Sequence, residues 1–200
     1  MKQLLILASQ SPRRRQLLAQ LGYSFSCQPA DIDETVIVGE LPEQYVRRLA
    51  LQKAQCIADR QQSNSTVIGS DTSVVIAQQI LGKPKDFADA QRLLQLLSGK
   101  VHQVMTAVAV VKAEISKTVL VTTNVEFKTL STDEIQQYWL TGEPKDKAGG
   151  YGIQGIGGQF VKQISGSYSA VVGLPLYETA QLLTEFGLPS AINSATVNKD

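Results

Sequence analysis

The chain has 200 residues, a net charge of +1, 43% hydrophobic and 18% charged residues, and 2 cysteines. This balance is typical of a globular protein, and a net charge so close to zero excludes a general nucleic-acid binder. The apolar stretch at the amino terminus is too short for a signal peptide, and no apolar run reaches the roughly 18–20 residues of a membrane span. Since the cysteines show no metal-binding spacing, we expect reduced thiols in a cytoplasmic protein. The lack of a run long enough for a membrane span predicts no membrane association.

The predicted elements alternate between strands and helices. The first strand covers Leu4–Ala8, and the helix after it has Ser11 as N-cap, Pro12 as first residue and Gly22 at its end. A 3.6-residue apolar period predicts further helices near residues 42–60, 86–99, 131–142 and 175–187. Asp86 is expected to cap the second of these helices, and Ser131 and Glu134 are expected to form a capping box at the start of the third. Apolar and β-branched runs predict further strands near residues 23–27, 67–68, 74–76, 104–111, 118–127 and 160–164.

The two longest β-branched runs, 104–111 and 118–127, are expected to pair as a hairpin. A hairpin among alternating helices and strands predicts an α/β fold with a mixed, twisted sheet and flanking helices. No linker or repeat divides the sequence, which predicts a single domain over residues 1–200 with a loose tail after about residue 191. The short polar stretch Gly69–Thr72 is interpreted as a break between two strands.

Three consecutive arginines, Arg13–Arg15, fall in the first turn of the first helix. Cations are unfavourable there by roughly 0.3–1 kcal/mol each, because the helix start already carries partial positive charge. A strand, a tight turn and free backbone N–H groups beside arginines form a strong anion site, so we expect a phosphate chain here. The alternative is a solvated basic turn.

Four further charged positions are candidates for the site, and three of them have two interpretations. Asp71, in the polar stretch, is either a catalytic carboxylate or a turn residue bonded to its own backbone. Lys53 lies on the apolar stripe of its helix, so its ammonium either reaches solvent or points inward at a bound anion. Lys83 precedes Pro84 and is held in an extended segment. The acidic turn 31–34 either supplies a carboxylate to a metal, from Asp31, Asp33 or Glu34, or is solvated.

Several common sites are excluded. The segment Gly150–Gly155 fits G-x-G-x-x-G but neither follows a clear strand nor opens a helix, so it does not indicate dinucleotide binding. The chain has no P-loop motif, and its single histidine, His102, is interpreted as structural. What remains is four cations, Arg13, Arg14, Lys53 and Lys83, with the carboxylates Asp71 and Glu34. Such a set suits a triphosphate and a divalent metal.

Six segments occur in a fixed order: Leu7–Arg14, Val46–Ala54, Gly69–Thr72, Leu81–Pro84, Lys147–Gly155 and Tyr168–Leu176. Together they resemble the Maf family of nucleoside triphosphate pyrophosphatases. The resemblance implies two lobes around a central cleft, as in Maf and Ham1 proteins, a divalent cation (Mg²⁺ or Mn²⁺) and a nucleoside triphosphate substrate. It implies hydrolysis at the α–β phosphoanhydride to the monophosphate and pyrophosphate, and a homodimer.

Residues at three positions indicate which branch of the family the sequence resembles. Arg13, Thr72 and Gln154 together resemble the branch that acts on dTTP and UTP, and by similarity they set base choice. The resemblance also implies that Asp71 is the proton acceptor and shares the metal with Glu34. Phosphates would be held by Ser9, Arg14, Lys53 and Lys83.

Two points stay open at this stage. Asp71 is either the general base or the ligand of the metal that activates water. The alternative to an enzyme is a nucleotide-binding regulatory protein in cell-division control with little turnover. Among enzymes, the substrate is either a normal pyrimidine triphosphate or a modified one, as in a house-cleaning pyrophosphatase.

Overall fold

The structure is a computed structural model that describes residues 4–61, 65–189 and 192. Its strands are β1 (Leu4–Leu7), β2 (Ser26–Cys27), β3 (Ser65–Ile76), β4 (Gln79–Leu81), β5 (Val101–Lys112), β6 (Ile115–Phe127) and β7 (Val161–Ser165). Its α-helices are α1 (Pro12–Gln20), α2 (Pro42–Ala58), α3 (Phe87–Leu97), α4 (Thr132–Leu140), α5 (Tyr168–Val172) and α6 (Leu176–Glu185). Short 3-10 turns cover Glu143–Asp146, Ala148–Gly150 and Ile156–Phe160. The tail predicted after residue 191 lies outside the described residues, apart from residue 192.

The described strands form a mixed sheet in the order β2-β1-β3-β5-β6-β7, with β4 paired to β3. β1 runs parallel to both β2 and β3, whereas β4 is antiparallel to β3 and β7 is antiparallel to β6. β5 and β6 are neighbours joined by two residues, as the sequence predicts for a hairpin. The prediction of an α/β fold with a mixed sheet is therefore confirmed.

The described residues form two compact units. Unit 1 takes its residues from Met1–Asp71, Thr106–Leu120 and Gly173–Asp200, and unit 2 from Thr72–Met105 and Val121–Val172. β3, β5 and β6 therefore contribute residues to both units. No helix among the described residues is both long and apolar enough to cross a bilayer.

In unit 1, the buried face of α2 is the apolar stripe that the sequence predicts. Its buried members are Val46, Leu49, Ala50, Lys53, Ala54 and Ile57. Burying the larger aliphatic side chains among them, Val46, Leu49 and Ile57, contributes about 1.5–3 kcal/mol each to folding. The stripe therefore fixes which side of α2 faces the interior, and Lys53 lies on that side.

In unit 2, the core is rich in aromatic side chains. Phe127 contacts Tyr151 with ring centroids 4.7 Å apart, and Tyr138 contacts Phe160 at 4.9 Å, both in edge-to-face geometry. Such pairs add about 0.5–1.5 kcal/mol each beyond the area they bury. The same core holds leucines of α3, which has Asp86 as N-cap, as the sequence predicts.

The predicted break at Gly69–Thr72 is wrong, because β3 is continuous from Ser65 to Ile76. Its polar side chains find partners without leaving the strand. Ser70 Oγ lies 2.9 Å from the carbonyl oxygen of Ala107 and 3.0 Å from that of Gly173. Asp71 is paired with a lysine, described below. Burying a polar group costs little folding free energy when the group has hydrogen-bond partners. The strand can therefore continue through residues whose types suggest a turn.

The remaining differences are local. α2 ends at Ala58 rather than near residue 60. The sequence suggests a hairpin turn at Gln78 and Gln79, whereas the hairpin after β3 turns at Ala77 and Gln78, whose φ angles are 48° and 63°. Positive φ at both central residues of a two-residue hairpin matches the twist of its strands. Such turns usually contain glycine, but here alanine and glutamine adopt the positive φ angles. The short helix α5 was not predicted, since five residues give no readable period.

His102 is a core residue of unit 2, only 2% exposed. Its Nε2 lies 2.9 Å from Tyr151 Oη, while its Nδ1 is buried without a partner in the described part of the chain. Burial lowers the pKa of His102 to about 4. The ring is therefore neutral near pH 7, which agrees with the structural role that the sequence suggests.

We expect this histidine to make stability depend on pH. In the unfolded chain its pKa is about 6.5, so the unfolded state takes up the proton first and stability falls between about pH 6.5 and pH 4. His102→Gln removes this titration. The loss in unfolding free energy between pH 7.5 and pH 4.5, measured by urea denaturation, should be smaller in the variant by about 2 kcal/mol. An equal loss in both proteins would contradict the buried, neutral ring.

Candidate active site

The start of α1 has the predicted strand–turn–helix geometry. β1 ends at Leu7, and Pro12 occupies the first position of the helix. Ser11 Oγ accepts a hydrogen bond from the backbone N–H of Arg14 at 3.4 Å, and Ser9 Oγ accepts one from that of Ser11 at 3.1 Å. No acidic residue lies in the first turn. The helix start therefore keeps its positive character, as an anion site requires.

The three arginines of this turn have different surroundings. Arg14 Nε donates to the carbonyl oxygen of Gly173 at 2.9 Å. Burial lowers the pKa of Arg14, and the negative charges of Asp71 and Glu34 partly oppose that effect. Arg13 is half-buried and Arg15 exposed, and neither side chain forms a hydrogen bond or ion pair with a described residue. Arg14 therefore faces the carboxylates, while Arg13 keeps all its donors for a ligand.

Lys53 connects two carboxylates in unit 1. Its Nζ lies 2.7 Å from Asp71 Oδ1 and 2.8 Å from Glu34 Oε1. Lys53 is 8% exposed and Asp71 6% exposed. The alternative that the Lys53 ammonium reaches solvent is therefore wrong, since its partners are carboxylates. A buried charge needs such partners, because desolvation of an unpaired one is very costly.

Gly69 explains how Lys53 reaches Asp71. A Cβ atom at position 69 would lie 2.1 Å from the carbonyl oxygen of Ala50 and 2.6 Å from the backbone nitrogen of Ala54. The missing side chain thus allows the backbone of α2 to approach β3 closely. Residues 69 and 71 lie on the same face of the strand, because side chains alternate with a period of two. Lys53 lies between Ala50 and Ala54 in the sequence of α2. The close approach at Gly69 therefore also brings Lys53 to Asp71.

The segment that carries Glu34 is fixed to α2 by two side chains that the sequence analysis missed. Tyr45 Oη donates to the carbonyl oxygen of Glu34 at 2.9 Å. Arg48 Nη2 donates to the carbonyl oxygen of Thr35 at 3.0 Å, and its guanidinium pairs twice with Glu40, at 2.6 Å and 2.7 Å. Only their spacing of three residues on α2, which places both on one face, could have suggested a shared role.

The pKa of Tyr45 is consistent with this position. Burial raises it to about 12, helped by the negative charges of Asp71 and Glu34. The phenol is therefore protonated at neutral pH and can serve as a donor. Asp33, by contrast, accepts a hydrogen bond from the backbone N–H of Thr35 at 2.9 Å, as a turn residue does.

The other predicted site residues belong to unit 2. Thr72 follows Asp71 directly in β3 and is half-buried. Lys83 and Gln154 are exposed, and neither forms a hydrogen bond or ion pair with the residues that the structure describes. Gln154 lies in the glycine-rich segment, where both Gly149 and Gly150 have positive φ. The side chains of Lys83 and Gln154 are therefore available to a ligand.

The carboxylates suit a divalent cation that is also held by phosphates. Asp71 and Glu34 both contact one ammonium, so their oxygens already converge on a single positive charge. Within the described residues, no three His, Cys, Asp or Glu side chains form a metal site by themselves. Mg²⁺ is commonly bound by one or two carboxylates, water and substrate phosphates, so this pair fits that mode of binding.

The chain belongs to the Maf family, since residues 4–186 match the family described as Maf-like protein. It is 60% identical over 196 residues to the dTTP/UTP pyrophosphatase of Colwellia psychrerythraea, covering 96% of this chain and 92% of that protein. It is 58% identical over 192 residues to the dTTP/UTP pyrophosphatase of Pseudoalteromonas atlantica, covering 92% and 98%. Among solved structures, the Staphylococcus aureus Ham1 protein matches 62% of this chain and 71% of its own, with 17% identity and a TM-score of 0.46.

Proposed function

We propose that this protein hydrolyses dTTP and UTP to the monophosphate and pyrophosphate. The observation that carries the proposal is the buried Lys53 ammonium between Asp71 and Glu34, within the same unit as the cationic start of α1. Relatives at 58–60% identity named dTTP/UTP pyrophosphatase support the choice of substrate. The proposal includes a cytoplasmic enzyme that uses Mg²⁺ or Mn²⁺.

In the proposed reaction, water attacks the α-phosphorus and the bond to the bridging oxygen breaks, so that pyrophosphate leaves. Asp71 takes the proton of this water. Its Oδ1 is bonded to Lys53, but its Oδ2 accepts no hydrogen bond from a described residue, which leaves that oxygen for the water. A general base of this kind contributes about 10²–10⁴-fold to the rate.

The cations stabilise charge that develops on the phosphates. Arg14 and Ser9 bind phosphate oxygens at the helix start, where backbone N–H groups also point at the anion. Lys53 and Lys83 supply further positive charge. When bound to Asp71 and Glu34, a divalent cation would neutralise phosphate charge and polarise the phosphorus.

Base choice is assigned to Arg13, Thr72 and Gln154. A glutamine amide and a threonine hydroxyl each donate and accept hydrogen bonds, as the edge of a uracil or thymine ring requires. A site built to bond such an edge rejects a base with the wrong pattern, because its own polar groups would be left unpaired.

Product analysis tests the proposal. The purified protein with Mg²⁺ or Mn²⁺ is given dTTP, UTP, CTP, GTP, dATP and 7-methyl-GTP, and pyrophosphate is separated from orthophosphate. We expect many turnovers with dTTP and UTP, all yielding pyrophosphate. Saturable binding without turnover on any triphosphate would overturn the proposal and favour a regulatory binding protein.

A further inference from the structure

A single carboxylate, that of Glu143, holds the backbone of residues 152–157, here called the 152–157 loop. Its Oε2 accepts a hydrogen bond from the backbone N–H of Ile156 at 2.7 Å, and its Oε1 accepts one from that of Gly157 at 3.0 Å. Tyr138 Oη donates to the same Oε1 at 2.8 Å and accepts from the backbone N–H of Gly152 at 3.2 Å. Both ends of the loop are thus tied to one network in unit 2.

The glycines of the loop make room for this network. A Cβ atom at position 155 would lie 2.3 Å from Glu143 Oε2, and one at position 157 would lie 2.5 Å from Tyr138 Oη. A Cβ atom at Gly152 would meet the Lys147 side chain at 2.6 Å. The lack of a side chain at Gly155 and Gly157 therefore leaves the space that the carboxylate and the phenol occupy, and at Gly152 it leaves the space of the Lys147 side chain.

The electrostatics favour an ionised Glu143. Burial alone would raise its pKa, but the bonds from Gly157, Tyr138 and Ile156, together with the charge of Lys147, outweigh burial and hold the pKa below its usual value. Burial and the neighbouring carboxylate raise the pKa of Tyr138, which is 3% exposed and stays a donor. Bonds from N–H groups to an ionised acceptor are roughly twice as strong as neutral ones.

Gln154 lies between the two tied ends of the loop. Its side chain bonds to no described residue, so only the backbone of the loop sets its direction. We propose that Glu143 is a positioning residue for base choice, which acts by fixing the 152–157 loop and thereby Gln154. This inference rests on the proposed function, in which Gln154 contacts the base. A loose loop would present Gln154 in many directions and weaken the difference between bases.

The test compares Glu143→Gln with Glu134→Gln. Both variants lose one charge and keep their shape, and both residues lie in unit 2. Glu134 accepts from the backbone N–H of Ser131 and pairs with Lys128, without contact to the loop. We expect Glu143→Gln to lower the ratio of kcat/KM for dTTP over CTP by about 10-fold, the effect of losing about one charge-assisted hydrogen bond. Most of the change should lie in KM for dTTP, and Glu134→Gln should keep the ratio.

Two further measurements separate positioning from general destabilisation. Hydrogen exchange at the amides of Ile156 and Gly157 should become at least about 10-fold faster in Glu143→Gln and stay unchanged in Glu134→Gln. Gln154→Ala should lower the same kcat/KM ratio, and adding Glu143→Gln to it should lower the ratio no further, because the two act through one contact. If Glu143→Gln does not fold, Tyr138→Phe removes the link to Gly152 and should give a smaller change in the same direction.

The outcomes are distinct. Unchanged amide exchange in Glu143→Gln, or an equal loss of kcat on every substrate with the ratio kept, overturns the positioning role. If the wild-type protein releases no pyrophosphate, the proposed function fails, and amide exchange still decides whether Glu143 holds the loop. If Gln154→Ala keeps the ratio while Glu143→Gln lowers it, the path through Gln154 is overturned.

Discussion

Asp71→Asn is expected to lower kcat for pyrophosphate release from UTP by at least about 100-fold, the lower range for removing a general base. Asparagine has nearly the same shape as aspartate, and its amide oxygen can still accept the bond that Lys53 donates at 2.7 Å. What it lacks is an oxygen that can take a proton from water at neutral pH. The measurement is steady-state pyrophosphate release at saturating UTP.

Stability must be separated from chemistry in this variant. Lys53 keeps Glu34 as a partner at 2.8 Å, so the buried ammonium stays compensated and the variant should fold. The matched control is Asp89→Asn, because Asp89 pairs with Arg92 in unit 2 and is not assigned to the reaction. Its kcat should stay within about 2-fold of wild type, as expected for an exposed ion pair. Turnover of Asp71→Asn near that of the control would show that Asp71 is not the base.

Helix boundaries were the part of the fold most readable from sequence. Ser11, Asp86 and Ser131 each cap a helix where the sequence places them, and Ser131 forms the predicted capping box with Glu134. Caps are local, because the side chain bonds a backbone group three residues away. A pattern within a few residues is therefore sufficient to find them.

The surroundings of polar residues were not readable in the same way. Asp71 lies 18 positions from its partner Lys53, and Ser70 lies 37 and 103 positions from the residues whose carbonyl oxygens it contacts. Without those partners, Gly69–Thr72 has the composition of a turn. The sequence placed Lys53 on the correct face of α2 but could not say what it contacts there.

In the candidate site, too, some residues could be found from the sequence and others could not. The family resemblance suggested the residues assigned to phosphate and base, yet Glu143 had no signal of its own. Its partners at positions 156 and 157 are backbone N–H groups, which every residue except proline carries. Only the three-dimensional structure distinguishes the amides that meet a carboxylate from those that do not.

Gly69→Ala is expected to destabilise the protein by at least about 3 kcal/mol, at the upper end for inserting one methyl group into a packed interior. The added Cβ would lie 2.1 Å from the carbonyl oxygen of Ala50 and 2.6 Å from the nitrogen of Ala54. Both atoms belong to the backbone of α2, so no side-chain rotation can relieve the clash. Urea denaturation measures the change in unfolding free energy.

Gly82→Ala is the matched control, because a Cβ atom there meets nothing within 4 Å and the residue has no positive φ. Its unfolding free energy should stay within about 0.5 kcal/mol of wild type. An equally small effect of Gly69→Ala would mean that α2 and β3 are farther apart than the structure shows. In that case the 2.7 Å contact between Lys53 and Asp71 would also need another explanation.

The same substitution connects stability with activity. If the folded Gly69→Ala protein relieves the clash by moving α2 away from β3, Lys53 moves with its helix and its contact with Asp71 lengthens. Turnover per folded molecule should then fall by about 10-fold or more, because a displacement of about 1 Å can cost roughly 100-fold in rate. Gly69 has no functional group, yet its lack of a side chain determines whether the lysine and the carboxylate of the proposed site can meet.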